Sequence, residues 1–308
     1  MADWRDAFIK TLKGFKGLIK RDEPLAPYTT LGIGGPCDIF AVPEDMEDLR
    51  ALLKDIRDLK IPFFVIGGGS NLLISDKGFR GVVISLGKGF DRIEVKGQRV
   101  EVGGATRLSK LVNLLISSSL SGAEFLWWIP GTFGGAVKCN AGAFSSSMGD
   151  IVEEVEGIDL NGRIRGLKRE EIGFRYRGTD IRDDFIITGG VLLLKKERDE
   201  EIRRRLREVI EYRKRTQPLD KLSAGCIFRN PKSQSAGRII DELGLKGLSI
   251  GDAYISEKHA NFIINRGKAS FKDIVSLIKE IKRIVKEKRG IELKEEVIII
   301  GGNYAKAG

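Results

Sequence analysis

The sequence is poor in the residues that build metal centres and disulfides: it holds one histidine, His259, and three cysteines, Cys37, Cys139 and Cys226, far apart along the chain. That set supplies neither a zinc cluster nor a disulfide framework, which excludes metal chemistry on soft ligands. No apolar run reaches the length of a bilayer span, and the stretch from Met1 to Lys20 mixes charge with isolated apolar residues. Neither a signal peptide nor a membrane span is therefore expected, and a soluble protein of a reducing cytoplasm is the simplest placement. Aromatic residues make up only 7% and do not interleave with basic ones as they do on nucleic-acid stacking platforms. Methionine is as scarce as cysteine while 31% of residues are charged, a balance expected of a heat-adapted protein.

What is present is enough chain for about two domains, with 308 residues, 42% of them hydrophobic, and a net charge of +10 that favours anionic partners. Nucleic acid, nucleotides and phosphorylated metabolites all qualify. Helical spacing of Met46, Leu49, Leu52, Leu53, Ile56 and Leu59 is followed by a strand over 61–66, then by short strands over 82–86, 92–95 and 99–102. Thr106 is expected to cap a helix reaching Ser118. Strands dominate 151–195, where Asn161-Gly162 signals a hairpin. A charged helix over 199–215, carrying the basic run from Arg203 to Arg215, ends before Gln217-Pro218 and marks a domain boundary. Helices over 236–243 and 270–288 and strands over 253–255, 261–264 and 297–300 make the last third a smaller α/β unit. Strands and helices without regular alternation predict an α+β fold.

Two glycine clusters carry the chemistry. Gly67-Gly68-Gly69-Ser70-Asn71 follows a predicted strand, where missing Cβ atoms let backbone N–H groups approach an anion. It is neither a Walker loop nor a G-x-G-x-x-G turn, and a plain tight turn is the rival reading. Pro130-Gly131-Thr132 with Gly134, Gly135 and Ala136, followed by Asn140 and Gly142, concentrates glycine where an ordinary loop would lose folding entropy for little packing in return. Two such loops suit a long dinucleotide held along its diphosphate; glycine-mediated helix packing is the alternative. Three further segments stand out: 174–179 with two arginines beside an aromatic, 223–231 with a thiol in a polar turn, and 293–302 with a carboxylate entering an apolar strand.

In order, these motifs resemble one bacterial family closely, the UDP-N-acetylenolpyruvoylglucosamine reductases, flavoenzymes that make UDP-N-acetylmuramic acid for peptidoglycan. The resemblance runs from Tyr28-Thr29-Thr30-Leu31-Gly32-Ile33-Gly34-Gly35 through both glycine clusters, Tyr176-Arg177-x-Thr179 and Ala224-Gly225-Cys226-Ile227-Phe228-x-Asn230-Pro231 to Glu296-Val297-x-Ile299-Ile300-Gly301. It implies a two-subdomain FAD-binding fold of the vanillyl-alcohol-oxidase/PCMH type plus a smaller C-terminal α/β substrate domain. The implied spans are 1–66, completed by 294–308, for the first subdomain, 67–197 for the second and 198–293 for the substrate domain.

FAD and NADPH are the implied cofactors, the glycine clusters holding the FAD diphosphate. The implied partner is a small molecule, the enolpyruvyl ether of UDP-N-acetylglucosamine, with no nucleic acid, membrane or obligate protein partner. By position Arg177 matches the family arginine that stabilises developing charge at the substrate carboxylate, and Glu296 the glutamate near it. Cys226 stands where the family usually has the serine that donates a proton, a chemically reasonable exchange because a thiol is the stronger acid. Tyr176, Arg177, Asn230 and His259 fall at substrate-binding positions. Thr216 stands where many relatives have a lysine, with Lys214 or Lys221 as substitutes. The short interval from Arg177 to Asp199 implies the subtype without an extra tyrosine-bearing loop. Another FAD-linked oxidase, or a basic nucleic-acid-binding protein, are the competing expectations.

Overall fold

The computed structural model describes residues 4–232 and 234–301. Its first unit is a four-stranded sheet in the order Leu18–Pro24, Pro36–Val42, Phe79–Ile84 and Phe63–Val65, the first pair antiparallel and the others parallel. The Met46–Asp58 helix covers it. Asp45 caps that helix by accepting from the N–H groups of Glu47 and Asp48, and Leu49, Leu52, Leu53 and Ile56 face the sheet. Burial of each such side chain is worth about 1.5–3 kcal/mol. The boundary expected at residue 66 falls inside this unit: Phe79–Ile84 lies between two of its strands, so the first unit runs through Ile84.

The second unit is an antiparallel five-stranded sheet, ordered Ile164–Lys168, Val152–Asp159, Phe185–Leu193, Arg99–Gly103 and Ile93–Lys96. Asn161-Gly162 makes the expected turn, with Gly162 at φ +76°. The Leu108–Ser117 helix packs on the sheet through Leu111, Val112 and Leu115. Arg107, not Thr106, is its N-cap; Thr106 is buried and its hydroxyl donates to the Arg92 carbonyl at 3.1 Å. The Asp199–Thr216 helix also belongs here, because Ile202 and Leu206 pack into this core. The substrate-domain boundary expected at residue 198 therefore moves to Gln217-Pro218.

The third unit is a four-stranded sheet, Leu222–Cys226, Phe262–Asn265, Ala253–Ile255 and Ser249–Ile250, backed by the Ala236–Glu242 and Phe271–Arg289 helices. It docks on the first unit through Leu31 and Ile33, which share its core, and through Asn265 Nδ2 donating to the Leu31 carbonyl at 3.0 Å. From its end the chain returns: Ile298–Ile300 pairs in parallel with Leu72–Ile74, and Ile300 packs with Leu25, Phe40 and Ile74 of the first unit. Residues 302–308 of the expected 294–308 segment lie outside the described residues.

Candidate active site

The two glycine loops meet back to back. A Cβ on Gly67 would lie 2.5 Å from Thr132 Oγ1, one on Gly68 2.6 Å from the Gly131 Cα, and one on Gly69 1.8 Å from the Tyr28 carbonyl oxygen. Gly68 is thus demanded by the opposing loop and Gly69 by the Tyr28 backbone, at φ +60°, whereas Gly67 meets only a hydroxyl that can turn aside. Ser70 Oγ donates to the Pro130 carbonyl and ties the loops together. This packing leaves the backbone N–H groups of Gly67, Gly68, Gly69, Ser70 and Asn71 without a hydrogen-bond partner among the described residues, and those of Gly131 and Thr132 likewise. A row of open donors is what a diphosphate requires, so the residues fit the cofactor that the glycine clusters imply.

Other members of the expected set serve the fold. Gly134 would meet the Gly104 and Ile187 carbonyls at 3.1 and 3.2 Å, Gly142 the Ser146 carbonyl at 2.6 Å, and Ala136 is buried in the core. Asn140 spends its amide internally, donating to the Arg175 carbonyl and accepting from the Gly149 N–H, each at 2.9 Å. Gly135 alone of the helical glycines has room, its nearest atom 3.5 Å from a Cβ.

Beside the cradle, three distant segments converge. Arg177, held at φ +56°, donates from Nη1 to the Gly142 carbonyl at 2.9 Å, and its Nε lies 2.7 Å from Glu296 Oε1. That Nε–H is not aimed at the oxygen, so the contact is an ion pair rather than an aligned hydrogen bond. Asn71 Nδ2 donates to the Glu296 carbonyl at 3.1 Å, which fixes the strand entry against the first glycine loop. The Glu296 N–H donates to the Ile227 carbonyl at 2.7 Å, placing Cys226 one residue from that clasp.

Burial pushes the Cys226 thiol up to about 12, with Glu296 adding to the rise and Arg177 and Arg213 opposing it. It is therefore a neutral S–H at physiological pH. Burial also raises the Glu296 carboxyl above its ordinary value, against the pull of Arg177 and Arg229. The site thus holds a fixed cation, a thiol that keeps its proton and a carboxyl whose charge is disfavoured by burial.

On the substrate side, Tyr176 is exposed, lies under the Arg177 guanidinium at 5.4 Å and accepts at its hydroxyl from the Asn230 N–H at 3.3 Å. Asn230 Oδ1 accepts from the Ala236 N–H and so fixes the start of a helix. His259 Nδ1 accepts from the Asn261 N–H at 3.2 Å, leaving Nε2 as the protonated nitrogen, and burial lowers the ring below the usual histidine range.

Two residues that the motifs did not single out belong here. Cys139, pushed up to about 11 by burial, feels the charges of Arg177 and Glu296. Arg213 is 6% exposed, has no carboxylate partner among the described residues, and donates to Gln217 Oε1 and the Phe125 carbonyl. Buried side-chain N–H groups without a partner occur, among the described residues, at Trp127, Arg177 and Arg213 only. Trp127 leads into the Pro130 loop, and the charge of Arg213 acts on Cys226 and Arg177. Unmet donors gathered in one region call for a ligand that meets them.

Comparisons with known proteins agree with this geometry. Residues 37–168 match the family model of an FAD binding domain, and residues 217–300 match that of the UDP-N-acetylenolpyruvoylglucosamine reductase C-terminal domain. Curated UDP-N-acetylenolpyruvoylglucosamine reductases from Caldanaerobacter subterraneus and Bacillus subtilis are each 42% identical to the chain, covering 93% of it and 95% of their own length. The crystal structure of the reductase from Thermus caldophilus superposes with a TM-score of 0.81 at 42% identity, covering 92% of this chain and 99% of that one.

Proposed function

Because the chain belongs to the UDP-N-acetylenolpyruvoylglucosamine reductase family, FAD-dependent oxidoreductases of peptidoglycan precursor synthesis, we propose that NADPH is its reductant, that Cys226 is its proton donor and that it works in the cytoplasm. The observation that carries the reading is the convergence of Arg177, Glu296 and the Cys226 segment beside a row of open backbone N–H groups. FAD would be held by residues 67–71 and 131–132 and would supply hydride transfer between the reduced nicotinamide and the methylene carbon of the enolpyruvyl ether.

The protein's own groups do the rest. The Arg177 guanidinium faces the substrate carboxylate as negative charge builds there, a task suited to a permanent bidentate cation. Glu296, its charge disfavoured by burial, sits beside the same carboxylate without the repulsion a solvated carboxylate would exert. The Cys226 S–H gives its proton to the carbon next to the carboxylate, so hydride and proton together saturate the double bond. Tyr176, Asn230 and His259 line the approach of the sugar nucleotide. A direct run from Arg177 into the Phe185–Leu193 strand leaves no insertion between them, in keeping with the subtype without the tyrosine loop.

The test is an anaerobic one on the yellow holoenzyme. NADPH should bleach the flavin, and the enolpyruvyl sugar nucleotide, but not a simple enol ether, should restore its colour. A flavin that stays reduced after the sugar nucleotide is added contradicts the proposal.

A further inference from the structure

Arg213 is a buried cation without a counter-charge. It is 6% exposed, donates from Nη1 to Gln217 Oε1 at 3.2 Å and from Nη2 to the Phe125 carbonyl at 3.3 Å, and has no carboxylate partner among the described residues. Its Nε–H is buried and unmet. Earlier on the same helix, Arg205 pairs with Glu197 at 2.6 Å and with Glu124 at 3.1 Å. A charge taken out of water is costly until one of opposite sign meets it, so Arg213 is poised for an anion that the resting protein does not supply.

A strained hairpin covers it. Gly142–Ala143 pairs antiparallel with Ser146–Ser147, and the two residues between them, Phe144 and Ser145, sit at φ +53° and +61°. Such a turn favours Asn-Gly, and a bulky aromatic in it is costly. The Phe144 ring is held there all the same, its centroid 5.8 Å from the Arg213 guanidinium and 5.2 Å from the Tyr212 ring, which it meets edge-on. Phe144 is 44% exposed, so its ring lies on the solvent side of the buried guanidinium. At the foot of the hairpin the Gly142 carbonyl accepts from Arg177 Nη1 at 2.9 Å. The hairpin therefore spans the two guanidinium groups whose charges act on the Cys226 thiol.

Proton donation makes the missing anion. Hydride addition at the methylene carbon leaves an electron pair on the neighbouring carbon and its carboxylate, which Arg177 faces. As that carbon bonds to the proton, the S–H bond of Cys226 breaks and its electron pair stays on sulfur. Negative charge thus moves from the substrate to a buried thiolate. Glu296 opposes it, and Arg177 is taken by Glu296 and the substrate carboxylate. We propose that Arg213 is the counter-charge for this thiolate and that Phe144 keeps the guanidinium dry, so that its field reaches the sulfur unscreened. Arg213 acts through Cys226, and protons from water restore the thiol before the next turnover. The inference rests on the reading of Cys226 as proton donor and gives the same step a second residue.

Stopped-flow reoxidation of the NADPH-reduced holoenzyme by the enolpyruvyl sugar nucleotide, followed across its concentration, tests this. Arg213→Gln should lower the saturating rate about tenfold or more while the half-saturating concentration moves less than about twofold. Arg213→Lys keeps the charge and should recover most of the rate. In Cys226→Ala, where no thiolate forms, Arg213→Gln should cost less than about twofold. Phe144→Asn combined with Ser145→Gly removes the ring, gives the turn the residues it favours and leaves Arg213 in place. That variant should melt at the same or a higher temperature and yet reoxidise about threefold to tenfold more slowly. Three results overturn the counter-charge: an unchanged rate in Arg213→Gln, a loss confined to the half-saturating concentration, or equal losses with and without Cys226. Full-rate reoxidation by the hairpin variant overturns the cover. A wild-type holoenzyme that NADPH bleaches and the sugar nucleotide leaves reduced overturns the function reading beneath both.

Discussion

The cofactor cradle and the reaction centre lie side by side and are built from different material. The cradle is backbone: its donors are peptide N–H groups, and its shape is set by glycines with no space for a Cβ. The centre is side chain: a guanidinium, a thiol and a carboxyl drawn from residues 177, 226 and 296, two of them shifted by burial. Backbone donors do not titrate, so the first region owes its function to geometry alone. Burial sets protonation in the second, so its function depends on how well water is kept out.

That contrast breaks most sharply at Gly69. Gly69→Ala places a methyl group into the Tyr28 carbonyl at a left-handed φ, and a loss of about 3 kcal/mol or more is expected. Denaturant unfolding that shows no change would mean the loop is not fixed by packing. Cys226→Ala should leave the fold and flavin reduction intact while slowing flavin reoxidation by the sugar nucleotide roughly a hundredfold or more, as stopped-flow traces will report.

The pH profile of that half-reaction sharpens the same point. A thiol at its ordinary pKa of about 8.5 would lose its proton across the pH 8–10 range, whereas one raised to about 12 keeps it. No fall in rate attributable to thiol ionisation is expected below pH 10; a midpoint near 8.5 that vanishes in Cys226→Ala would refute the assignment.

Stability should respond more gently, through His259, the only histidine of the chain. Burial depresses its folded pKa below the ordinary 6.5. Between those two values the unfolded chain binds the extra proton, so falling pH favours unfolding in that window. His259→Gln should remove this slope from a plot of unfolding free energy against pH. Smallest is the effect of Gly135→Ala on the fold, within about 1 kcal/mol, because its nearest neighbour stands 3.5 Å from a Cβ. Whatever that variant loses should appear as weaker FAD retention.

Much of the cradle was legible in the sequence because glycine repeated within a few residues has few explanations. Which glycines pack and which stay open was not legible: Gly68 and Gly135 look alike in sequence, and only the approach of a second loop separates them. The domain limits were misplaced for a related reason. Phe79–Ile84 inserts between strands that precede it, and the implied start at 198 splits the Asp199–Thr216 helix from the second core that its Ile202 and Leu206 join, although the end of that helix at Gln217-Pro218 had already marked a boundary in the sequence. Arg213 lies inside the basic run from Arg203 to Arg215, and nothing in that run marks it as the one that is buried. Convergence of Arg177, Cys226 and Glu296 could be inferred from ordered motifs, but the ion pair and the rise in thiol pKa arise from burial that no local pattern records.

The clasp between Asn71 and Glu296 joins residues 225 positions apart. During synthesis the glycine loops leave the ribosome long before the segment that carries the glutamate. Until that segment arrives the first glycine loop lacks its anchor: Asn71 has no Glu296 carbonyl to hold, and Leu72–Ile74 has no parallel partner strand. Cofactor loop and reacting carboxyl therefore reach their final shape together, in one closing step of folding.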